Sequence, residues 1–429
     1  MNNCRISTLL GIIIMGCIFC GCANKKKGLE IILTNKSSIN LTDKAISIKR
    51  SQLHSIPKDS VYPLLLDNNL DTIPVQFDDT DGDKHGDELF FVVNLNANAS
   101  TTYSLTWLPS EPAYTKRTSV RFGKRSSASI PIHSSLADTA YSKNLPKNLG
   151  FQPYQTDGPS WENDKVGFRH YLDGRNAKDV FGKLIPGMSP ENVGISATGA
   201  VEDNYHVMEK WGRDILAVGN SIGIGGLALL DDKKFLRLGT IVGDSINNVE
   251  QTTFNILAEG PVKSVINFRY NNWHPNGSDY TLKETGSIWP GMYAYHNSVE
   301  LTGLKGNENL LIGMVNINAV KPPVEIKTDK NWVILVSHER HTYNKEWWLG
   351  LALVLPADAY LGFTNAPDTG KLTKSWLAKL KVVDNKPANY FVVAGWELSD
   401  KGFADPVYFK NYVVNLVEQL SAEVSVKVQ

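Results

Sequence analysis

Short apolar, β-forming stretches bounded by polar turn residues recur along this chain. Leu29–Thr34, Ala45–Lys49, Ile73–Phe77, Leu89–Leu95 and Thr102–Trp107 are short runs of this kind, separated by turn-forming residues. That spacing predicts an antiparallel β-sandwich over residues 28–108. Residues 109–150 are rich in Pro, Ser and Lys and read as a linker or wrapping segment. From residue 151 to 429 strands dominate again, through Tyr390–Trp396, which predicts a second, larger two-sheet sandwich. One helix is expected near the C-terminus. Asp405 can cap it, Pro406 suits its first turn, and Phe409, Tyr412, Val413, Leu416, Val417 and Leu420 recur at helical spacing. Val424, Val426 and Val428 then alternate as a closing strand. The fold class is all-β with one C-terminal helix.

The first 22 residues change the picture of where this chain works. Arg5 precedes an apolar run from Leu9 to Phe19, too short for a stable bilayer span, which ends Phe19-Cys20-Gly21-Cys22. A small residue before Cys there is similar to a bacterial lipobox. Cleavage before Cys22 and lipidation of its thiol would leave the membrane contacted through a lipid anchor only. The basic residues that follow, Lys25 to Lys27, favour the periplasmic side of a Gram-negative envelope over the cell surface. An ordinary signal peptide cleaved nearby is the alternative. All four cysteines, Cys4, Cys17, Cys20 and Cys22, lie in this leader. The remainder therefore has no disulfide framework, no cysteine zinc site and no cysteine nucleophile. With 44 basic and 44 acidic residues the formal net charge is zero, which argues against a nucleic-acid partner.

The densest candidate chemistry lies between Gly158 and Lys183. If Lys165–Arg175 is one strand, Arg169, Tyr171, Asp173 and Arg175 share a face, about 7 Å apart. A row of cation, aromatic, anion and cation suits a sugar acid, with a ring to stack and a carboxylate to neutralise. Trp161 and Lys183 extend the candidate binding set, and Glu162 and Asp173 are candidate carboxylates for acid–base work. The bland alternative is that Arg169 and Asp173 pair across strands to fix register. A second cluster, Tyr205 to Asp214, offers His206 and Tyr205 as a base or proton donor. Trp211 is its stacking platform and Asp214 a binding carboxylate.

Asp78 to Glu88 reads as a calcium loop, with Asp79, Asp81, Asp83 and Asp87 at alternate coordinating positions. It is not an EF-hand, because Phe90 stands where the bidentate Glu would be. An acidic hairpin without metal is the alternative, and any calcium there is structural. The glycine-rich run Gly219–Gly226 lacks the Lys-Ser/Thr pair and following helix of a phosphate loop, so no organic cofactor is expected. His338 and His341 are too closely spaced for a helical zinc pair, and no Gly-x-Ser-x-Gly elbow occurs.

Several ordered motifs resemble the domain-of-unknown-function family numbered 4861. They are Gln76-Phe-Asp-Asp-Thr-Asp-Gly-Asp with Asp87-Glu-Leu-Phe-Phe91, Gly158-Pro-Ser-Trp-Glu162, Arg169-His-Tyr-Leu-Asp-Gly-Arg175 and Phe181-Gly-Lys183. Tyr205-His206, Trp211-Gly-Arg-Asp214, Val218-Gly-Asn-Ser-Ile-Gly223 and Trp396-Glu-Leu-Ser-Asp400 complete the set. The resemblance covers nearly the whole chain beyond the leader. It implies a secreted or lipidated protein of a polysaccharide-utilisation locus, beside pectin- or uronate-processing enzymes. It also implies a galactose-mutarotase-like supersandwich in the C-terminal part. Fold alone does not settle a reaction. The expected activity is lyase or hydrolase chemistry on a uronate-containing, pectin-like oligosaccharide. A non-catalytic glycan-binding lipoprotein and an epimerase-like activity using His206 and Glu162 are the alternatives.

Overall fold

In a computed structural model, the described residues are 28–54, 56–57, 61–80, 85–144, 152–244 and 247–429. Cys22 and the rest of the leader, with Asp81 and Asp83 of the acidic loop, lie outside them. No helix of the described residues is long and apolar enough to cross a membrane.

The chain is all-β with a single α-helix, Pro406–Ser421, among the described residues. The N-terminal sandwich opposes a five-stranded sheet to a three-stranded one. The three-stranded sheet runs Leu41–Lys49, Glu88–Leu95, Val75–Asp78. The five-stranded sheet runs Val424–Val428, Leu29–Asn35, Ser100–Leu108, Tyr62–Leu66, Thr72–Ile73. Its outer strand is thus the end of the chain: Val424–Val428 pairs antiparallel with Leu29–Asn35, Val426 opposite Leu33. Ile31, Leu33, Ile46, Ile48, Leu89, Phe91, Tyr103 and Leu105 fill the space between the sheets. Their alternation in sequence follows from the two-residue pleat, which sends every second side chain inward.

The larger supersandwich is built on a nine-stranded antiparallel sheet. Its central strands run Ser264–Trp273, Tyr280–Ile288, Ala294–Thr302, Ala388–Trp396 and Leu349–Pro356. Two five-stranded sheets pack against it. One runs Lys234–Arg237, Ile224–Asp231, Glu308–Val315, Ser375–Lys381, Tyr360–Asn365. The other runs Gly212–Asp214, Lys178–Lys183, Val166–His170, Ser160–Asn163, Thr118–Arg121. Segment 109–150, read from sequence as a linker or wrapping segment, supplies strands to two of these sheets. Thr118–Arg121 closes one sheet, and Ala137–Tyr141 is the edge of the nine-stranded one. The polar composition of Ala137–Tyr141 suits an edge position, where one side of the strand meets water, whereas Thr118–Arg121 is buried throughout.

The helix lies where its pattern requires. Asp405 accepts from Val407 N at 2.7 Å, and Pro406 needs no donor in the first turn. Phe409, Val413, Leu416 and Val417 pack on Ile334, Ala352, Val354 and Phe391 of the large sheet. This contact requires glycine at Gly350 and Gly395, since a Cβ there would come within 2.4 and 2.8 Å of the Phe409 ring. Leu349–Pro356 is in consequence buried on both faces and reads as a continuous apolar run.

Candidate active site

The strand Val166–His170 organises the site. Every residue of it is buried, because the sheet is covered on both sides. Phe168 faces the large sheet, edge-on to Tyr295 at 4.6 Å and stacked on Trp161 at 6.0 Å. Arg169 faces the opposite way, into a pocket of carboxylates and phenols, and is completely buried. Its Nη2 donates to Asp214 Oδ2 at 2.7 Å, to the Tyr171 hydroxyl at 2.5 Å, and to Asp179 Oδ2. Tyr171 in turn donates to Asp179 Oδ2 at 2.7 Å. The guanidinium also lies over the rings of Tyr171, Tyr205 and Phe181, at 4.3, 5.1 and 5.2 Å. A buried cation needs this many partners to offset its desolvation.

The row expected from Arg169 to Arg175 stops short. The strand ends at His170, and a turn follows in which Gly174 and Asn176 adopt φ of 95° and 50°. Period-two alternation cannot pass through such a turn, so Asp173 and Arg175 leave the Arg169 face. They pair with each other, Arg175 Nε donating to Asp173 Oδ2 at 2.7 Å, while Arg175 lies 3.8 Å over the Tyr171 ring.

Towards solvent, the 3-10 turn Asn204–His206 brings Tyr205 and half-exposed His206 against this cluster. His206 Nδ1 is 3.5 Å from Asp214 Oδ2, and its ring meets Tyr343 edge-on at 5.5 Å. Burial, with Arg169 nearby, holds His206 below the usual histidine range, so it is neutral at pH 7. Burial pushes Tyr205 above the ordinary phenol range, so it stays protonated at pH 7. Burial also raises Asp214, and Asp179 beside it adds to the rise.

Two carboxylates that the motifs did not single out complete the pocket. The Tyr205 hydroxyl lies 3.2 Å from Asp157 Oδ2 and 3.1 Å from Asp203 Oδ1. One hydroxyl carries one proton, so both contacts are favourable together when a carboxyl keeps its own. Asp157 is the one placed to do so, because burial raises its pKa. It sits in a strained turn: Thr156 and Asp157 have φ of 49° and 61°, followed by Gly158 at 150°. A fully buried β-branched residue at positive φ is costly, and such outliers gather at functional sites. Sequence offered one signal here, the Asp157-Gly158 pair, which marks a turn but not a role.

The rim is aromatic and cationic. Tyr343, Trp347 and Trp348, all partly exposed, lie on the loop after Trp332–Glu339, with Arg213 over Trp347 at 5.4 Å and Arg340 over Trp348 at 5.1 Å. Asn344 and Lys345 within it have φ of 53° and 56°. Beside Tyr205 a cavity of about 260 Å³ is lined by Asn192, Asn204, Glu209 and Trp211.

Of the residues expected from sequence, Arg169, Tyr171, Tyr205, His206 and Asp214 converge, with Asp173 and Arg175 flanking them. Trp211 stands one layer out, edge-on to Phe181 at 5.9 Å. Trp161, Glu162 and Lys183 lie elsewhere. Trp161 is in the core, 1% exposed. Glu162 is held by Lys183 Nζ and by the Ser189 backbone N–H at 3.0 Å, and Arg121 Nη1 donates to the Ser189 hydroxyl at 2.7 Å. That arrangement is a satisfied buried ion pair. At the acidic loop, Asp87 Oδ2 accepts from Thr80 N at 2.7 Å and Thr80 Oγ1 at 2.8 Å, and Asp79 lies nearby in the chain. No cluster of three or more metal-ligating side chains occurs among the described residues.

The profile of the family described as "Domain of unknown function (DUF4861)" matches residues 33–426. The chain belongs to the DUF4861 family. A relative from Formosa agariphila, described as "Uncharacterized protein P7", is 23% identical over 441 aligned residues, covering 98% of this chain and 99% of the relative. Two solved structures from Enterococcus faecalis are similar in part. One is described as a protein in the glycosyl hydrolase family 38, with a TM-score of 0.46 at 9% identity over 94% of this chain. The other is described as an alpha-mannosidase, with a TM-score of 0.45 at 8% identity over the same share. The DUF4861 chain spans about half the length of each, 48% and 46%. At those values neither bears on the reaction of this DUF4861 protein.

Proposed function

We propose that this DUF4861 protein is a carbohydrate-active enzyme that hydrolyses a uronate-containing oligosaccharide in the cleft of Asp157, Asp203, Tyr205 and His206. The carrying observation is the Tyr205 hydroxyl bracketed by Asp157 and Asp203. Their nearest oxygens stand no further apart than the sum of 3.2 and 3.1 Å. That fits the short spacing of retaining glycosidases, about 5–5.5 Å, better than the inverting one, about 6.5–9.5 Å. Asp157, raised by burial, is the proton donor to the leaving oxygen, and Asp203, open to solvent, is the nucleophile. Tyr343 and Trp347 offer aromatic surface to the sugar, and Arg340, which donates to the carbonyls of Lys345 and Glu346, suits its carboxylate.

Elimination is the second reading, favoured by one observation: His206 is neutral at pH 7 and half exposed, as a base should be. Against it, Arg169 and Arg175 already hold carboxylates of the protein and have little charge left for a uronate. The leader ending at Cys22 supports lipid anchoring in a Gram-negative envelope. The test is product analysis on pectic oligosaccharides, by mass, ultraviolet absorbance and anomeric NMR. Hydrolysis predicts water-added products with retained configuration, lost by about 10²-fold or more in Asp157→Asn. A new C4–C5 double bond, lost in His206→Ala, would establish a lyase instead. Binding without turnover would make the protein a capture lipoprotein.

A further inference from the structure

A second aromatic hollow opens away from the cleft, where the N-terminal sandwich, the helix and the large sheet meet. Its volume is about 440 Å³, within the roughly 300–1,000 Å³ of small-molecule sites, and no residue of the cleft lines it. Phe391 is the floor. Trp289 and Trp332 stand on either side of it, edge-on at 6.0 and 5.9 Å with interplanar angles of 88° and 70°. Both indoles are partly exposed, although the core beneath them is closed.

The polar wall is sparse and directional. Lys44 Nζ donates to Gln419 O at 2.8 Å and Leu420 O at 3.2 Å, the carbonyls at the end of the helix. The negative end of the helix dipole fixes the ammonium there. An ammonium has three hydrogens, so one remains for a ligand. The nearby carboxylate of Asp43 does not compete, because Arg117 holds both its oxygens at 2.7 and 2.8 Å. Asn415, exposed on the helix, adds an amide to the same wall. Ring faces with one cation and one amide form a wall for a pyranose that carries a carboxylate.

We propose that this groove is a second, non-catalytic saccharide site, taking an acidic pyranose with its ring against Trp289 and Trp332 and its carboxylate on Lys44. It rests on the carbohydrate reading of the chain but not on the chemistry of the cleft. A site of this kind would hold a polymer on the protein between turnovers.

The test is calorimetric titration of the intact protein carrying Asp157→Asn with trigalacturonate, and with maltotriose as the neutral control. Two binding events per chain are expected. Trp332→Ala should weaken one of them about tenfold or more and leave the other unchanged. Lys44→Met, which keeps the aromatic walls, should abolish the preference for trigalacturonate over maltotriose at that site. Near-ultraviolet circular dichroism checks that both variants are folded. If the cleft reading fails and the groove stands, a single event remains, and Trp332→Ala removes it. Trigalacturonate binding that neither variant alters would overturn the proposal, as would no binding beyond the event lost on changing cleft residues.

Discussion

Replacing Arg169 by Met removes the cation shared by two carboxylates that cannot reach water. Asp179 and Asp214 are both 0% exposed, and both take hydrogen bonds from Arg169 Nη2. Removing one partner of a buried ion pair costs about 3–5 kcal/mol, mostly for the charge left behind. Two charges are stranded here, but one can be relieved by a proton, since burial and Asp179 already raise Asp214. The upper part of that range, about 4–5 kcal/mol, is therefore expected at pH 8. The deficit must shrink on acidification, because each pH unit below the new pKa returns about 1.4 kcal/mol. It should therefore be smaller at pH 5.5 than at pH 8. Urea unfolding at both pH values, followed by tryptophan fluorescence and far-ultraviolet circular dichroism, measures this. Adding Asp214→Asn to Arg169→Met should recover part of the loss at pH 8 and little at pH 5.5. A deficit below about 1 kcal/mol, or one equal at both pH values, would refute the view of Arg169 as the counter-ion of this pocket.

Other outcomes follow from the packing and the titrating groups. Phe409→Ala should cost about 3–5 kcal/mol in urea unfolding, because Gly350 and Gly395 leave a hollow with nothing else to fill it. Burial lowers His296 to about 4 and His341 to about 3. Their contribution is whole above the free value of 6.5 and is lost as pH falls towards those numbers. Asp78, raised by burial to about 6, works in the opposite sense, and its contribution is lost as pH rises through that value. Asp157 and Asp214, also raised by burial, add to the carboxylate side, and His170 and His206 to the histidine side, so the histidine part is read by difference: between pH 6.5 and 4.5 the unfolding free energy of His341→Gln should fall less, or rise more, than that of the unaltered protein. Calcium at the acidic loop is tested by thermal unfolding in calcium and in chelator. Retention of the ion predicts a midpoint a few degrees higher in calcium, and identical midpoints refute it.

The strands and the helix were legible because their patterns are local. Asp405, Pro406 and the spacing from Phe409 to Leu420 specify a cap, a start and a buried stripe without reference to the rest of the chain. The Tyr205–Asp214 cluster was legible for the same reason, as Tyr, His and Asp fall within ten residues. Alternation misled where its assumption failed. It supposes one face in water, whereas the sheet containing Ser160–Asn163 and Val166–His170 is covered on both, so Trp161 and Glu162 became core. Asp157, Asp203 and Tyr343 were not legible. Asp157 and Tyr343 come from distant loops that only the pairing of strands brings to Tyr205 and His206, and Asp203, two residues before Tyr205, gains its place from the 3-10 turn that follows it.

The pairing of Val424–Val428 with Leu29–Asn35 sets an order on biosynthesis. A sandwich begun by the first strands to be made stays one edge short until the last residues exist. At about 5–20 residues per second, that wait lasts tens of seconds. The exposed edge of Leu29–Asn35 is throughout a template for any other extended segment. The first module is thus complete only once Val424–Val428 has joined it, after the strands of the second module have been made.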